Sequence, residues 1–184
     1  MVNVNYQKLD QFKLPAGFRG RAGWYVQLWW LVQSTLFAMS PQFMYGWRCF
    51  LLRLFGAQVG EGVIIRPSVR ITYPWKVKIG HNVWIGDNAE LYSLGEVEIG
   101  DDVVISQKSY LCAATHDFSK LSFDMIDKKI TIEDQVWLAT DVFVAPGVTI
   151  GRGALIGARS SVFADMPEGM ICVGSPADPI KPRG

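Results

Sequence analysis

The chain has 184 residues, enough for one or two domains. Hydrophobic residues make up 49% and the formal net charge is +1, which speaks against disorder and gives no electrostatic ground for nucleic acid as a partner. The three cysteines, Cys49, Cys112 and Cys172, contain no CxxC pair, which excludes a disulfide framework and points to a reducing, cytoplasmic compartment.

The first residues, Met1 to Arg19, are polar and mixed, with no apolar core of a secretory signal. Aromatics then crowd the stretch before Gly56, where glycine is sparse. This stretch is expected to hold two helices. One runs from about Gly23 to Met39. Its apolar run is interrupted by Gln27, Gln33, Ser34 and Thr35, and is too short for a membrane span. The second is expected from about Pro41 to Phe55, with Ser40 as N-cap, Pro41 in the first turn and Gly56 after the last. Its residues Phe43, Trp47, Phe50, Leu51 and Leu54 follow a 3.6 period.

After Gly56 the pattern changes to short aliphatic runs broken by Gly, Asp and Asn. Every sixth residue from Val59 is aliphatic: Val59, Ile65 and Ile71. The count restarts at Ile79 with Ile85 and Leu91, and at Ile99 with Ile105 and Leu111. From Ile132 it runs unbroken through Leu138, Val144, Ile150, Ile156 and Val162. The residue after each is often Gly or another small residue, and the fifth of each hexad is often Val, Ala, Ser or Thr. Such a hexad reads as one short strand and one corner, with the aliphatic pointing inward and a small residue where space is least. Three hexads close a triangular coil, and successive coils stack at the parallel-strand spacing of about 4.8 Å. About five coils are expected, at 59–76, 79–96, 99–116, 132–149 and 150–167. The chain is therefore mainly β, with residues 1–56 as helical extension and cap. Residues 57–184 are the prism, with a loop at 117–131 and a C-terminal tail.

The aliphatic-small-x-x-small-x repeat resembles that of the hexapeptide-repeat acyltransferases, over residues 46–184. The stretches ITYPWKVKIGHNVWIGDNAELY, IGDDVVISQKSYLCAATHDFS and VGSPADPIK, with the preceding WRCFLLRLFGAQVG, are similar to the branch that acetylates exopolysaccharides, typified by the colanic-acid acetyltransferases. The resemblance implies a left-handed parallel β-helix, although parallel crossovers are usually right-handed. It also implies acetyl-CoA as co-substrate, a sugar or oligosaccharide hydroxyl as acceptor, a homotrimer with sites between subunits, and no metal.

Acyl transfer to an alcohol needs a base, donors for the oxyanion and a thioester held beside the acceptor. Two histidines are present. His116 stands where the hexads break for the insertion that begins at Asp117. An imidazole titrates near pH 6.5 when unperturbed, which suits a base at neutral pH. The pattern leaves open a catalytic base and a solvent-exposed corner histidine; the resemblance matches His116 to the family's catalytic histidine. His81, in IGHN, reads as a solvated corner. Asp117 could orient the imidazole or cap its own loop. Cys112 occupies a small-residue slot and reads as structural. The apolar insertion around Phe118, Leu121, Phe123, Met125 and Ile126 reads as an acceptor wall, a trimer contact, or both. By resemblance alone, Thr140, Ala158 and Lys181 match coenzyme A contacts, with Trp137 and Ala139 adjoining. Asp178 departs from the basic residue many relatives carry there.

Other readings remain open on the sequence. A zinc-binding γ-class carbonic anhydrase prism needs three histidines and this chain has two. An acetyltransferase acting on an antibiotic, amino sugar or nucleotide sugar, and a non-catalytic scaffold, are the alternatives. The aromatic helices, with Arg19, Arg21, Arg48 and Arg53, are expected to cap the first coil. Residues 24–55 are also a candidate for peripheral contact with the inner face of the membrane.

Overall fold

The computed structural model describes residues 5–184; the start of the polar N-terminal stretch, Met1 to Val4, lies outside them. Helix α1 (Gly23–Val32) runs on into a π-helical turn, Gln33–Phe37, and α2 spans Tyr45–Leu54. The first helix is thus close to the expected one. The second starts four residues later than expected, and Ser40 is not its N-cap. The Ser40 hydroxyl donates back to the Phe37 carbonyl at 2.6 Å and accepts from Arg48. The Arg48 guanidinium also takes the carbonyls of Pro41 and Gln42, at 3.0 and 2.6 Å. Those bonds hold residues 40–44 as a turn. Helix α2 ends as anticipated, at Gly56 with φ +92°.

The prism follows, one coil at a time. The first coil is β1 (Gln58–Val59), β2 (Ile64–Ile65) and β3 (Arg70–Ile71). The second is β4 (Val77–Ile79), β5 (Trp84–Ile85) and β6 (Glu90–Tyr92), and the third β7 (Val97–Ile99), β8 (Val104–Ile105) and β9 (Tyr110–Cys112). A hairpin, β10 (Ala114–His116) and β11 (Met125–Asp127), leaves the body here. The fourth coil is β12 (Ile130–Ile132), β13 (Trp137–Leu138) and β14 (Phe143–Val144), and the fifth β15 (Thr149–Ile150), β16 (Leu155–Ile156) and β17 (Ser161–Val162). Strands β18 (Met170–Gly174) and β19 (Ala177–Pro182) form a closing hairpin.

Strands pair in parallel between coils, so the prism has three faces. Face I is β1-β4-β7-β12-β15, face II is β2-β5-β8-β13-β16-β18-β19, and face III is β3-β6-β9-β14-β17. Met166 adds a bridge to Ile150 on face I, and β18 pairs with β16 on face II. The five expected coils are therefore followed by a partial sixth, which carries Met166 and Cys172 in place of the aliphatic hexad residues.

The interior is a set of vertical stacks. On face II, Ile65, Ile85, Ile105, Leu138, Ile156 and Cys172 lie in register and are almost fully buried. The corner after β5 shows why a small residue follows the aliphatic. A Cβ on Gly86 would lie 2.6 Å from the Gln107 amide nitrogen of the next coil. Two of the three edges repeat faithfully. Asn82, Asp102 and Gln135 take the left-handed conformation between faces I and II, and Asn88, Lys108, Asp141 and Arg159 between faces II and III. The third edge, between faces III and I, is irregular, and the two-residue restarts of the hexad count fall there.

The first coil would leave unpaired strand groups at its open end. The helices satisfy them on all three faces. Arg53 donates to Val59 and Gly60 carbonyls at 3.0 and 2.7 Å. Arg48 donates to Ile65 at 2.6 Å, and the Trp29 indole to Ile71 at 2.8 Å. The Gln33 side-chain oxygen accepts from the Ile71 amide at 2.7 Å.

Candidate active site

His116 ends β10, at the irregular third edge, where the chain leaves the prism. Its half-buried ring is held from two sides. Phe123 stacks on it with centroids 4.2 Å apart and planes at 8°, and Phe12 meets it edge-on at 6.0 Å. The Phe123 carbonyl lies 2.7 Å from Nδ1. A carbonyl only accepts, so Nδ1 carries the hydrogen of the neutral ring and Nε2 keeps the lone pair. Phe123 has φ +51°, a costly conformation for a bulky residue, and it aims its carbonyl from a hairpin tip that is otherwise firmly tied. Asp117 N donates to Asp124 O at 2.8 Å, and Lys8 N donates to Leu121 O at 2.6 Å. The N-terminal segment thus crosses the insertion and delivers Phe12.

Asp117 does not orient the imidazole. Its carboxylate accepts from the Ser119 hydroxyl and amide, at 2.5 and 3.1 Å, which holds its pKa below the ordinary carboxylate value. Lys120 lies 3.7 Å from it and 3.1 Å from Asp124. The insertion is shorter as a loop than expected, since β11 and β12 claim Met125–Asp127 and Ile130–Ile132. Phe118 and Leu121 are displayed, whereas Phe123, Met125 and Ile126 are half-buried. Cys112 is half-buried, less enclosed than expected, and its thiol lies 3.2 Å from the Ala114 carbonyl. His81 is exposed at a corner, where its Nδ1 accepts from the Glu61 amide.

The residues matched to coenzyme A stand elsewhere. Trp137 projects from face II, its indole donating to Ser106 at 3.0 Å. Trp137, Leu155, Ile171 and Lys181 form one outward column across β13, β16, β18 and β19. Ala139 and Thr140 turn the edge between faces II and III. Thr140 donates to the Gln107 carbonyl at 3.1 Å and accepts from the Arg159 amide at 2.9 Å. Two residues past the paired Leu138 and Ile156, Thr140 and Ala158 hold the same corner position in successive coils. A groove of about 450 Å³ opens on the same face, lined by Arg66, Trp84, Asp87, Ser106 and Gln107 among others. Asp178 pairs with Val173 in the closing hairpin and is exposed.

These residues cluster on one edge and the adjoining face II, and His116 lies on another edge. Face III separates them. It carries an aromatic ladder on its outside, Tyr92, Tyr110, Phe143 and Phe163, with successive centroids 5.7–6.0 Å apart. Burial raises the pKa of both tyrosines, so they remain neutral phenols. Within one chain His116 and the Thr140–Ala158 edge are therefore not brought together.

The repeat pattern described as "Hexapeptide repeat of succinyl-transferase" matches residues 76–107. The chain is 56% identical over 177 residues to the Escherichia coli K12 protein named "Putative colanic acid biosynthesis acetyltransferase WcaF", covering 96% of this chain and 97% of that one. The chain belongs to the hexapeptide-repeat acetyltransferases, in the colanic-acid branch. It is accordingly an acetyltransferase on a left-handed β-helix. A more distant relative is the galactoside O-acetyltransferase of the same E. coli strain, 32% identical over 134 residues, which are 71% of this chain and 66% of that one. A solved galactoside acetyltransferase in complex with coenzyme A superposes with a TM-score of 0.82 at 27% identity, covering 94% of this chain and 85% of the other.

The sequence pattern singles out His116 but gives no sign of Phe12 and Phe123 as its holders. Phe12 carries no local signal, because it reaches the ring through chain crossing. Phe123 acts partly through its backbone carbonyl, which residue type does not encode.

Proposed function

We propose that this chain is an O-acetyltransferase that moves an acetyl group from acetyl-CoA to a sugar hydroxyl in exopolysaccharide biosynthesis, with His116 as general base. The tautomer of His116 carries the reading. With Nδ1–H committed to the Phe123 carbonyl, Nε2 is the nitrogen able to take a proton. It removes the acceptor's hydroxyl proton as that oxygen attacks the thioester carbonyl. The tetrahedral intermediate then expels the coenzyme A thiolate, and the imidazolium returns the proton to sulfur. The stacked Phe123 and edge-on Phe12 fix the ring, so little orientation is lost on reaching the transition state.

Trp137, Ala139, Thr140, Ala158 and Lys181 are proposed to hold acetyl-CoA. Their adjacency on one edge and the neighbouring face II supports this, as does the coenzyme A complex of the galactoside acetyltransferase relative. Lys181 offers a cation at the far end of the Trp137 column, suited to a phosphate. The separation of this edge from His116 supports a homotrimer, in which the edge of one subunit meets the histidine of the next. The helical part, residues 1–56, is proposed as a cap and residues 57–184 as the transferase domain. The three free thiols fit the cytoplasm. No helix among the described residues is long and apolar enough to cross a membrane.

The test is acetyl transfer by His116→Ala, screened against free sugars, nucleotide sugars and lipid-linked oligosaccharides. Turnover is expected to fall about 10²–10⁴-fold, with acetyl-CoA affinity retained. Near wild-type turnover would overturn the assignment.

A further inference from the structure

The capping helices bury one face on the first coil, and their other face is also apolar. On α1, Val26 and Trp29 are fully buried, whereas Trp24, Leu28 and Leu31, spaced by four and three residues, are 70%, 41% and 60% exposed. On and just before α2, Leu51 and Leu52 are buried, whereas Phe43, Phe50 and Leu54 are 78%, 51% and 61% exposed. The stripes adjoin, because the Trp47 indole donates to the Leu36 carbonyl at 3.0 Å and its ring stacks on Phe50. An apolar stripe of this length on the outside of a cap marks an interaction surface.

Charge identifies what it meets. From Gln11 to Gly60 the sequence holds no Asp or Glu, but it holds Lys13, Arg19, Arg21, Arg48 and Arg53. Arg48 is buried and engaged by carbonyls, so it contributes no surface charge. Arg19, Arg21 and Arg53 are exposed, just before α1 and at the end of α2. Elsewhere the chain mixes both signs, with 13 Lys and Arg against 17 Asp and Glu. A protein partner or a second copy would be met by the mixed surface of the prism as readily. A surface that is apolar, tryptophan-rich and cationic with no carboxylate fits an anionic lipid bilayer. The helices are too short to span it, so they lie in its interface. The outer face of a cap also lies at the end of the prism, clear of the faces and edges that carry His116 and Thr140.

We infer that the outer stripe of α1 and α2, from Trp24 to Leu54, docks the enzyme peripherally on an anionic membrane. The test is sedimentation of the full chain with phosphatidylcholine vesicles, with and without phosphatidylglycerol. Expected results are co-sedimentation only with the anionic vesicles, release by high salt, and a blue shift of tryptophan emission on binding. The double variant Leu31→Glu, Phe50→Glu should bind at least about tenfold more weakly. Its circular-dichroism melt and light-scattering mass should match the parent. Trp24→Ser with Leu28→Ser, confined to α1, gives a second weakened variant should the first misfold. A full chain left in the supernatant at low salt would overturn the inference, as would variants that bind like the parent. So would a change of oligomeric mass in the variants, because it would assign the stripe to subunit contact.

Discussion

The His116 ring and the Phe123 residue are joined twice: Nδ1 lies 2.7 Å from the Phe123 carbonyl, and the two rings stack at 4.2 Å. Phe123 is thereby a positioning residue for the proposed base. Phe123→Gly relieves the positive φ but removes the stack and frees the carbonyl. Turnover should fall about tenfold with little change in KM for acetyl-CoA. Nitrogen NMR of the imidazole should show a single neutral tautomer, protonated at Nδ1, in the parent and a mixture in the variant. A single tautomer in both would remove Phe123 from this role.

Because face III separates His116 from the Thr140–Ala158 edge, the proposed site draws on two subunits of the proposed trimer. His116→Ala and Ala158→Trp should each be inactive as homotrimers. Ala158 is exposed, so the tryptophan blocks the edge without disturbing the interior. Dissociating and reassembling an equal mixture should restore about a quarter of wild-type activity, the share of interfaces that combine two intact halves. A light-scattering mass of one subunit with full activity, or no recovery on mixing, would count against the arrangement.

Arg48 is fully buried without a carboxylate partner, and its donors go to the Ile65, Pro41 and Gln42 carbonyls and the Ser40 hydroxyl. Arg48→Ala would strand the buried Ile65 carbonyl and Ser40 hydroxyl, each at about 1–3 kcal/mol, whereas the exposed Pro41 and Gln42 carbonyls can turn to water. A loss of at least about 3 kcal/mol in urea unfolding is expected, with Arg48→Met also destabilised because it fills space but donates nothing. Destabilisation of either variant by less than about 1 kcal/mol would show that water replaces the guanidinium.

Asp117 stabilises its own turn. Its folded pKa is depressed chiefly by the Ser119 hydroxyl and amide. The contribution is therefore fully present above the unfolded carboxylate value of about 3.9 and is lost as pH falls through the lower folded value. Hydrogen exchange at the Ser119 amide should stay protected at pH 5 and rise only well below pH 4. Asp117→Asn should keep the pH dependence of turnover and lie within about threefold of the parent, because the carboxylate does not touch His116. A displaced pH profile would make Asp117 part of the base.

The prism was legible in the sequence because each inward position demands the same residue class. Ile65, Ile85 and Ile105 repeat what a single register requires. The partial sixth coil was not, because Met166 and Cys172 fill those positions without an aliphatic hexad. The start of α2 was misjudged because Ser40-Pro41 has the local grammar of a helix start. Three bonds from Arg48, within α2 itself, decide otherwise. Thr140 and Ala158 share a corner that the hexad spacing encodes, whereas the separation of that corner from His116 follows from which edge the insertion leaves, and six-residue periodicity does not rank the three edges.

That third edge has a wider consequence. The chain departs at Ala113 and returns at Lys128, where the Lys128 amide bonds the Ala113 carbonyl at 3.0 Å, and Ile130 bonds Glu96 at 2.9 Å. Departure and return are adjacent, so the scaffold is indifferent to how much chain lies between. Hairpins of other lengths can be exchanged there as a cassette while the stacks above and below keep their register. Divergence in this segment among proteins built this way therefore needs no redesign of the body. It can proceed by changes in the chain between His116 and Met125, with the three faces of the prism inherited unchanged.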